Sequence, residues 1–188
     1  GGGSKGPTGL LRGLDMAGLG WERLLDAKIP EQLQAAEATL TSAPARPVEI
    51  GQYTLVCDGA TMASVLGETL GIATQLDRAL GYEANAGGTS FIDDPLTMVG
   101  QFRVAAPLVT VTANRSVPTY LATVKWDDEA VAPADFTVIN EGIVTDFQTT
   151  REQAVWLASY YHKIGRPVRS NGCAAAESAH YITMQHMP

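Results

Sequence analysis

Residues 60–80 read ATMASVLGETLGIATQLDRAL, with Gly67-Glu68-Thr69-Leu70-Gly71-Ile72 at the centre. Apolar side chains recur at Met62, Val65, Leu66, Ala73, Leu76 and Leu80. That spacing predicts a helix over Ala60–Leu80 with one face buried in a core. Set into it are a glutamate, Glu68, a glycine, Gly71, and a later acid, Asp77. Gly67 and Gly71 cost a helix about 1 kcal/mol each relative to alanine, so packing or local backbone geometry must compensate. With Ser64 they also form a small-residue side against which another element can pack.

Asp58-Gly59 is a turn and a cap for this helix. Before it, Val48–Asp58 carries the β-formers Ile50, Tyr53, Leu55 and Val56 and predicts a strand. That strand is separated by Pro44 and Pro47 from an earlier helix, which has Pro30 in its first turn and a face of Leu33, Ala36 and Leu40. After the central helix, short strands are expected at Thr89–Ile92, Leu108–Thr112 and Tyr120–Trp126. The pair Phe136–Asn140 and Ile143–Phe147 flanks Glu141-Gly142, a hairpin turn. Arg151–Ile164 has helical spacing, and His180–Met187 reads as a last strand. Asp93–Ala105 reads as irregular. There is no internal repeat and no βαβ succession. The mixed order predicts an α+β fold, an antiparallel or mixed sheet packed with a few helices.

The 188 residues suffice for a domain with a real core, and 45% hydrophobic with 18% charged residues describes a globular chain. The net charge of -7 and scattered basic residues argue against binding nucleic acid, which needs a basic patch. No run of about 18 apolar residues is present, so no membrane span is expected. Residues 1–20 read as a flexible glycine-rich segment with no signal-peptide core, and 21–188 as the folded domain. Cys57 and Cys173 are expected to be free thiols, as in a reducing, cytoplasmic compartment.

The order of several segments resembles the TldD/PmbA family, metallopeptidase-like proteins also described as modulators of DNA gyrase. The pieces are Gly51-x-Tyr53-x-Leu55-Val56, the 60–80 helix, Thr89-Ser90-Phe91, and Ala106-Pro107-Leu108-Val109-Thr110-Val111. Asp127-Asp128-Glu129, Phe136 to Val144, the helix with Arg151, Glu152 and Ala154, and Ser170-Asn171-Gly172 follow. The likeness runs from about Gly13 to Pro188 and is to the family's C-terminal, metal-bearing domain. In that family the helix motif is His-Glu-x-x-x-His with an acid five positions further on. The resemblance makes Glu68 the general base and Asp77 the trailing acid. It also puts Gly67 and Ile72 at the two histidine positions, so the zinc site reads as degenerate. The family's third ligand, a cysteine near the end of the full-length protein, has no counterpart here, because Cys173 sits in the wrong place. The chain is therefore expected to be a fragment of a longer protein.

Zinc catalysis needs about three protein ligands and an open position where water loses its proton to a nearby base. Histidines five apart would diverge by about 140° around an ideal helix, so the motif demands a distortion near the glycine. Glycine has no side chain and isoleucine no lone pair, so no metal and no cofactor are expected. His162, His180 and His186 do not substitute: the last two, on one strand, would stand about 20 Å apart. Asp93-Asp94 and Asp127-Asp128-Glu129 read as solvated loops without EF-hand spacing. The resemblance implies a non-catalytic subunit or pseudo-peptidase that forms a homo- or hetero-oligomer with another TldD/PmbA-type chain and meets unfolded peptide. The alternatives are an active metal-dependent peptidase completed by residues or a partner outside the chain, and a protein-binding or assembly module.

Overall fold

The computed structural model describes residues 18–42, 47, 49–174 and 182–186. The chain divides into two units, one holding the described residues up to Val56 together with Thr119–Leu121, the other holding the rest. The glycine-rich start and His180 lie outside the described residues.

In the first unit, α1 (Glu22–Asp26) precedes α2 (Ile29–Ser42). Pro30 stands in the first turn of α2, where its missing N–H costs nothing. Gln32 donates its amide to the carbonyl of Ala27 at 2.7 Å, and Ala27 is buried. The expected strand before Asp58 is absent: residues 49–58 are irregular and exposed. Ile50 and Val56 are almost fully accessible. Strand propensity measures fit to a half-buried pleated surface, and among the described residues this segment pairs with no strand.

In the second unit, α3 (Gly59–Leu66) leads into a π turn (Gly67–Gly71), α4 (Leu76–Ala79) and α5 (Pro95–Met98). Strands β1 (Val109–Ala113), β2 (Phe136–Asn140), β3 (Ile143–Val144) and β4 (Ile182–His186) make one antiparallel sheet in the order β3-β2-β1-β4. Helices α6 (Arg151–Trp156) and α7 (Ala158–Lys163) lie between β3 and β4 in sequence. The fold is α+β. Val111, Val138 and Ile139 from the sheet pack with Leu66 of α3 in one core cluster. Leu76, Phe147, Leu157 and Tyr161 centre a second.

Several elements differ from expectation. The predicted 60–80 helix is interrupted, as described below. The 151–164 helix is two pieces, because Leu157 leaves helical geometry at φ -88°, ψ 5°. Thr89–Ile92 is irregular: the Ser90 hydroxyl donates to the carbonyl of Ala73 and accepts from the N–H of Ile92, local bonds that compete with a ladder. Tyr120–Trp126 is also irregular. β3 stops at Val144, since Thr145 and Asp146 both turn their N–H groups to the carbonyl of Val138. Within Asp93–Ala105 the structure adds the single turn α5, capped by Asp94.

The Glu141-Gly142 turn joins β2 to β3 with both residues at positive φ, 48° and 79°, the pattern of a type I′ hairpin. The outer edge of β3 is not free. Val144 donates to Phe102, and Gly100 and Val104 donate to Val144 and Gly142. A Cβ on Gly142 would meet the carbonyl oxygen of Ala105 at 2.1 Å.

A buried polar group pins the loop after α7. Asp146 accepts from the Tyr161 hydroxyl at 2.7 Å and from Asn171 at 3.0 Å, and pairs with the Arg166 guanidinium. That guanidinium also lies 4.5 Å above the Tyr161 ring. Burial, then the Asp146 charge, pushes the Tyr161 phenol far above its ordinary pKa.

Three outcomes follow. Gly142→Ala should lose at least about 2 kcal/mol in urea unfolding, from the left-handed backbone and the carbonyl clash. Asp146→Ala, which strands Arg166, Tyr161 and Asn171 together, should lose about 3 kcal/mol or more. Because the folded phenol holds its proton longer than the unfolded one, the Tyr161 contribution is complete below about pH 10. It should fall as pH rises above that value, and Tyr161→Phe should flatten this alkaline loss in denaturant titrations.

Candidate functional site

The site region begins at Asp58, whose carboxylate accepts the N–H of Thr61 at 2.8 Å and caps α3. An Asx cap satisfies one of the donors that a helix start leaves open. Leu66 anchors the end of α3 in the sheet core. From Gly67 to Gly71 the ladder shifts to i→i+5 bonding. This is the distortion that the five-residue spacing demands. In a π turn a residue and its fifth successor diverge less around the axis than the roughly 140° of α geometry.

Gly67 and Ile72 are both half-buried, and both have ordinary right-handed backbone angles, φ -60° at Gly67 and -75° at Ile72. Nothing in the angles at 67 requires glycine. Neither side chain offers a lone pair. Glu68, between them in sequence, is exposed.

The helix then stops. Gln75 takes an extended ψ of 122°, and residues 74–76 pair with residue 148 instead of continuing the ladder. Leu76 donates to the carbonyl of Gln148 at 3.1 Å, and Gln148 donates back to the carbonyl of Thr74 at 2.9 Å. The side-chain amide of Gln148 donates to the carbonyl of Gly71 at 2.6 Å and to the Thr74 hydroxyl at 3.0 Å. Thr74 in turn donates to the carbonyl of Leu70 at 2.6 Å. Gln148, Thr74 and Gly71 are all buried. Asp77 lies past this break, on α4, where its carboxylate accepts the N–H of Arg78. The interruption thus removes the single-helix relation between Glu68 and Asp77.

Two carboxylates of the acidic run at 127–129 are spent on structure. Asp127 is buried and takes the N–H groups of Glu129, Val131 and Ala174. Glu129 accepts from the N–H of Arg151. His162 is exposed on α7, and His186 stands on β4 opposite Val109. Neither Cys57 nor Cys173 is in a disulfide. Among the described residues no three of His, Cys, Asp and Glu converge as a metal site would require. No helix there is long and apolar enough to cross a membrane. Gln148 gives no local sequence signal, since it is a polar residue in a buried run 77 positions from the Gly71 carbonyl it holds.

Residues 50–183 match the family described as the PmbA/TldA metallopeptidase C-terminal domain. A metalloprotease of Methanocaldococcus jannaschii is 26% identical over 137 residues, which cover 73% of this chain and 28% of that relative. Among solved structures, TldE of Thermococcus kodakarensis is 18% identical with a TM-score of 0.44, over 68% of this chain and 26% of its own. A Bacteroides thetaiotaomicron protein titled as a candidate modulator of DNA gyrase is 15% identical with a TM-score of 0.49, over 82% and 30%. The chain thus spans little more than a quarter of the curated relative's length. The family match runs over most of the sequence, from before the capping aspartate to the second residue of β4, and the chain belongs to the PmbA/TldA metallopeptidase C-terminal domain family.

Proposed function

We propose that this domain is a non-catalytic, TldD/PmbA-type unit whose zinc site has degenerated. It would work in the cytoplasm by assembling with another chain of the same type and helping to enclose unfolded peptide. One observation carries the reading: the π turn runs from Gly67 to Gly71 with Ile72 as its C-cap, so the two positions where the family carries histidine stand at its ends and hold residues without donors. The residues present do not fit the family's zinc. Glu68 is the one donor of the motif that remains, and Asp77 is turned to its own backbone beyond the helix break. A carboxylate with no metal beside it meets water that keeps its proton far above neutral pH, without the acidification a bound metal supplies.

A second reading has one feature in its favour. Glu68 is exposed and has no hydrogen-bond partner among the described residues, so it is available as a base if donors outside this chain or on a partner supply a metal. The exposed apolar run at Ile50, Tyr53, Leu55 and Val56 favours a third, an assembly module that gains a strand on contact.

Metal analysis of the purified protein should find no stoichiometric zinc, and one tightly held zinc per chain overturns the proposal. An assay on unstructured peptides should show no chelator-sensitive turnover and no difference between the parent and Glu68→Gln. Turnover lost on both treatments would instead establish the peptidase reading.

A further inference from the structure

We propose that Asn171 is a covalent modification site: it converts to aspartate or isoaspartate when the loop after α7 opens, and the closed loop shields it from that reaction. The chain has four asparagines, Asn85, Asn114, Asn140 and Asn171, and of these Asn171 alone is followed by glycine. A glycine has no Cβ to crowd the approach of its own nitrogen. The Gly172 nitrogen loses its proton and attacks Cγ of Asn171. The N–Cγ bond forms, the Cγ–Nδ2 bond breaks, and Nδ2 leaves as ammonia with that proton. The product is a cyclic imide. Water, the one co-reactant, then opens the ring and returns a proton to the nitrogen. Opening at Cγ leaves aspartate. Opening at the main-chain carbonyl leaves isoaspartate, with one more carbon in the backbone. The zinc reading plays no part in this inference.

The closed loop restrains both reacting groups. Asn171 and Gly172 are buried. The Asn171 amide donates to Asp146 at 3.0 Å and to the carbonyl of Phe147 at 2.9 Å, and its oxygen accepts from Arg166. Those bonds fix Cγ. The attacking nitrogen is occupied too: its N–H donates to the Ser170 hydroxyl at 3.1 Å, which itself donates to the carbonyl of Thr149 at 2.8 Å. The loop needs both members of the labile pair. Gly172 stands at φ 72°, and a Cβ there would meet Cα of Pro133 at 2.5 Å. Asn171 bonds both members of the Asp146–Arg166 pair. After conversion to aspartate, an oxygen stands where Nδ2 stood and faces two acceptors with no proton to offer. One guanidinium then serves two buried carboxylates, an arrangement that disfavours closure. Further ties go with the loop, since Gly172 accepts from Arg115 at 3.1 Å and Ala174 donates to Asp127 at 3.0 Å.

The test ages the full chain at mildly alkaline pH, in native buffer and in guanidinium chloride. Peptide mass spectrometry follows aspartate and isoaspartate at each asparagine. Asn85, already exposed in the folded chain, is the internal reference. Relative to Asn85, conversion at residue 171 should be about tenfold slower or more in buffer than in denaturant, because in buffer it waits on an opening. Ser170→Ala frees the Gly172 N–H. It should speed conversion in buffer about fivefold, the scale of a lost hydrogen bond, and leave the rate in denaturant unchanged. Chains aged in denaturant are then returned to buffer and treated briefly with protease. Converted chains should fall in the cleaved fraction and unconverted ones in the resistant fraction. If Ser170→Ala does not fold, the two conditions and the protease split of the parent still decide. The proposal is overturned if residue 171 converts as fast in buffer as in denaturant, or does not convert in denaturant. It is equally overturned if converted chains regain resistance as fully as the rest, or if a folded Ser170→Ala leaves the rate in buffer unchanged.

Discussion

The hydrogen bonds that Gln148 makes to residues 71–76 are the constraint on which this domain's arrangement depends. They end the central helix, fix the direction in which α4 leaves, and tie the first half of the unit to the segment following β3. Two clusters of apolar side chains meet around that tie. One lies under the sheet and includes Leu66, and the other lies under the helices and includes Leu76. Burial of this kind supplies most of the driving force but little direction. The buried amide supplies direction, because it donates to the carbonyl of Gly71 and the hydroxyl of Thr74, and leaving such a group unpaired inside would be expensive.

Polar groups do similar work elsewhere in the unit. Asp127 collects three N–H groups from two separated segments. Asp146 gathers Tyr161, Arg166 and Asn171. In a structure whose described helices in this unit run to eight residues at most, helix propensity alone would hold little in place. The carboxylates and amides are the fasteners between short pieces. So Asp94, Asp127 and Glu129, in acidic runs that read as solvated loops in the sequence, accept backbone N–H groups in the folded chain.

What could be read from the residues followed distance along the chain. The β2–β3 hairpin was legible because turn chemistry and alternation both lie within nine residues. The cap at Asp58, the strand at 109–113 and the need for distortion near Gly71 were legible for the same reason. The break at Gln75 was not, because its cause is Gln148. The strand expected before Asp58 failed in the opposite sense: its local pattern is sound, but strand formation needs a neighbour, and none among the described residues is paired with it. At the site, the residue types at 67, 68 and 72 could be read directly, whereas the clamp behind them could not. Glu68 and Asp77, nine positions apart on a supposed single helix, were separated by the same unforeseen break.

The position of β4 has a consequence for how the chain is made. β1 lies in the middle of the sheet, yet one of its two neighbours is the strand at 182–186, about seventy residues later. During synthesis, β2 and β3 can join β1 as soon as they emerge. The other side of β1 then keeps its N–H and C=O groups open to any extended segment until nearly all of the domain has left the ribosome. A stop codon placed just after α7 would therefore leave a nascent sheet with a raw interior edge, a natural target for chaperones and for mispairing between neighbouring polypeptides.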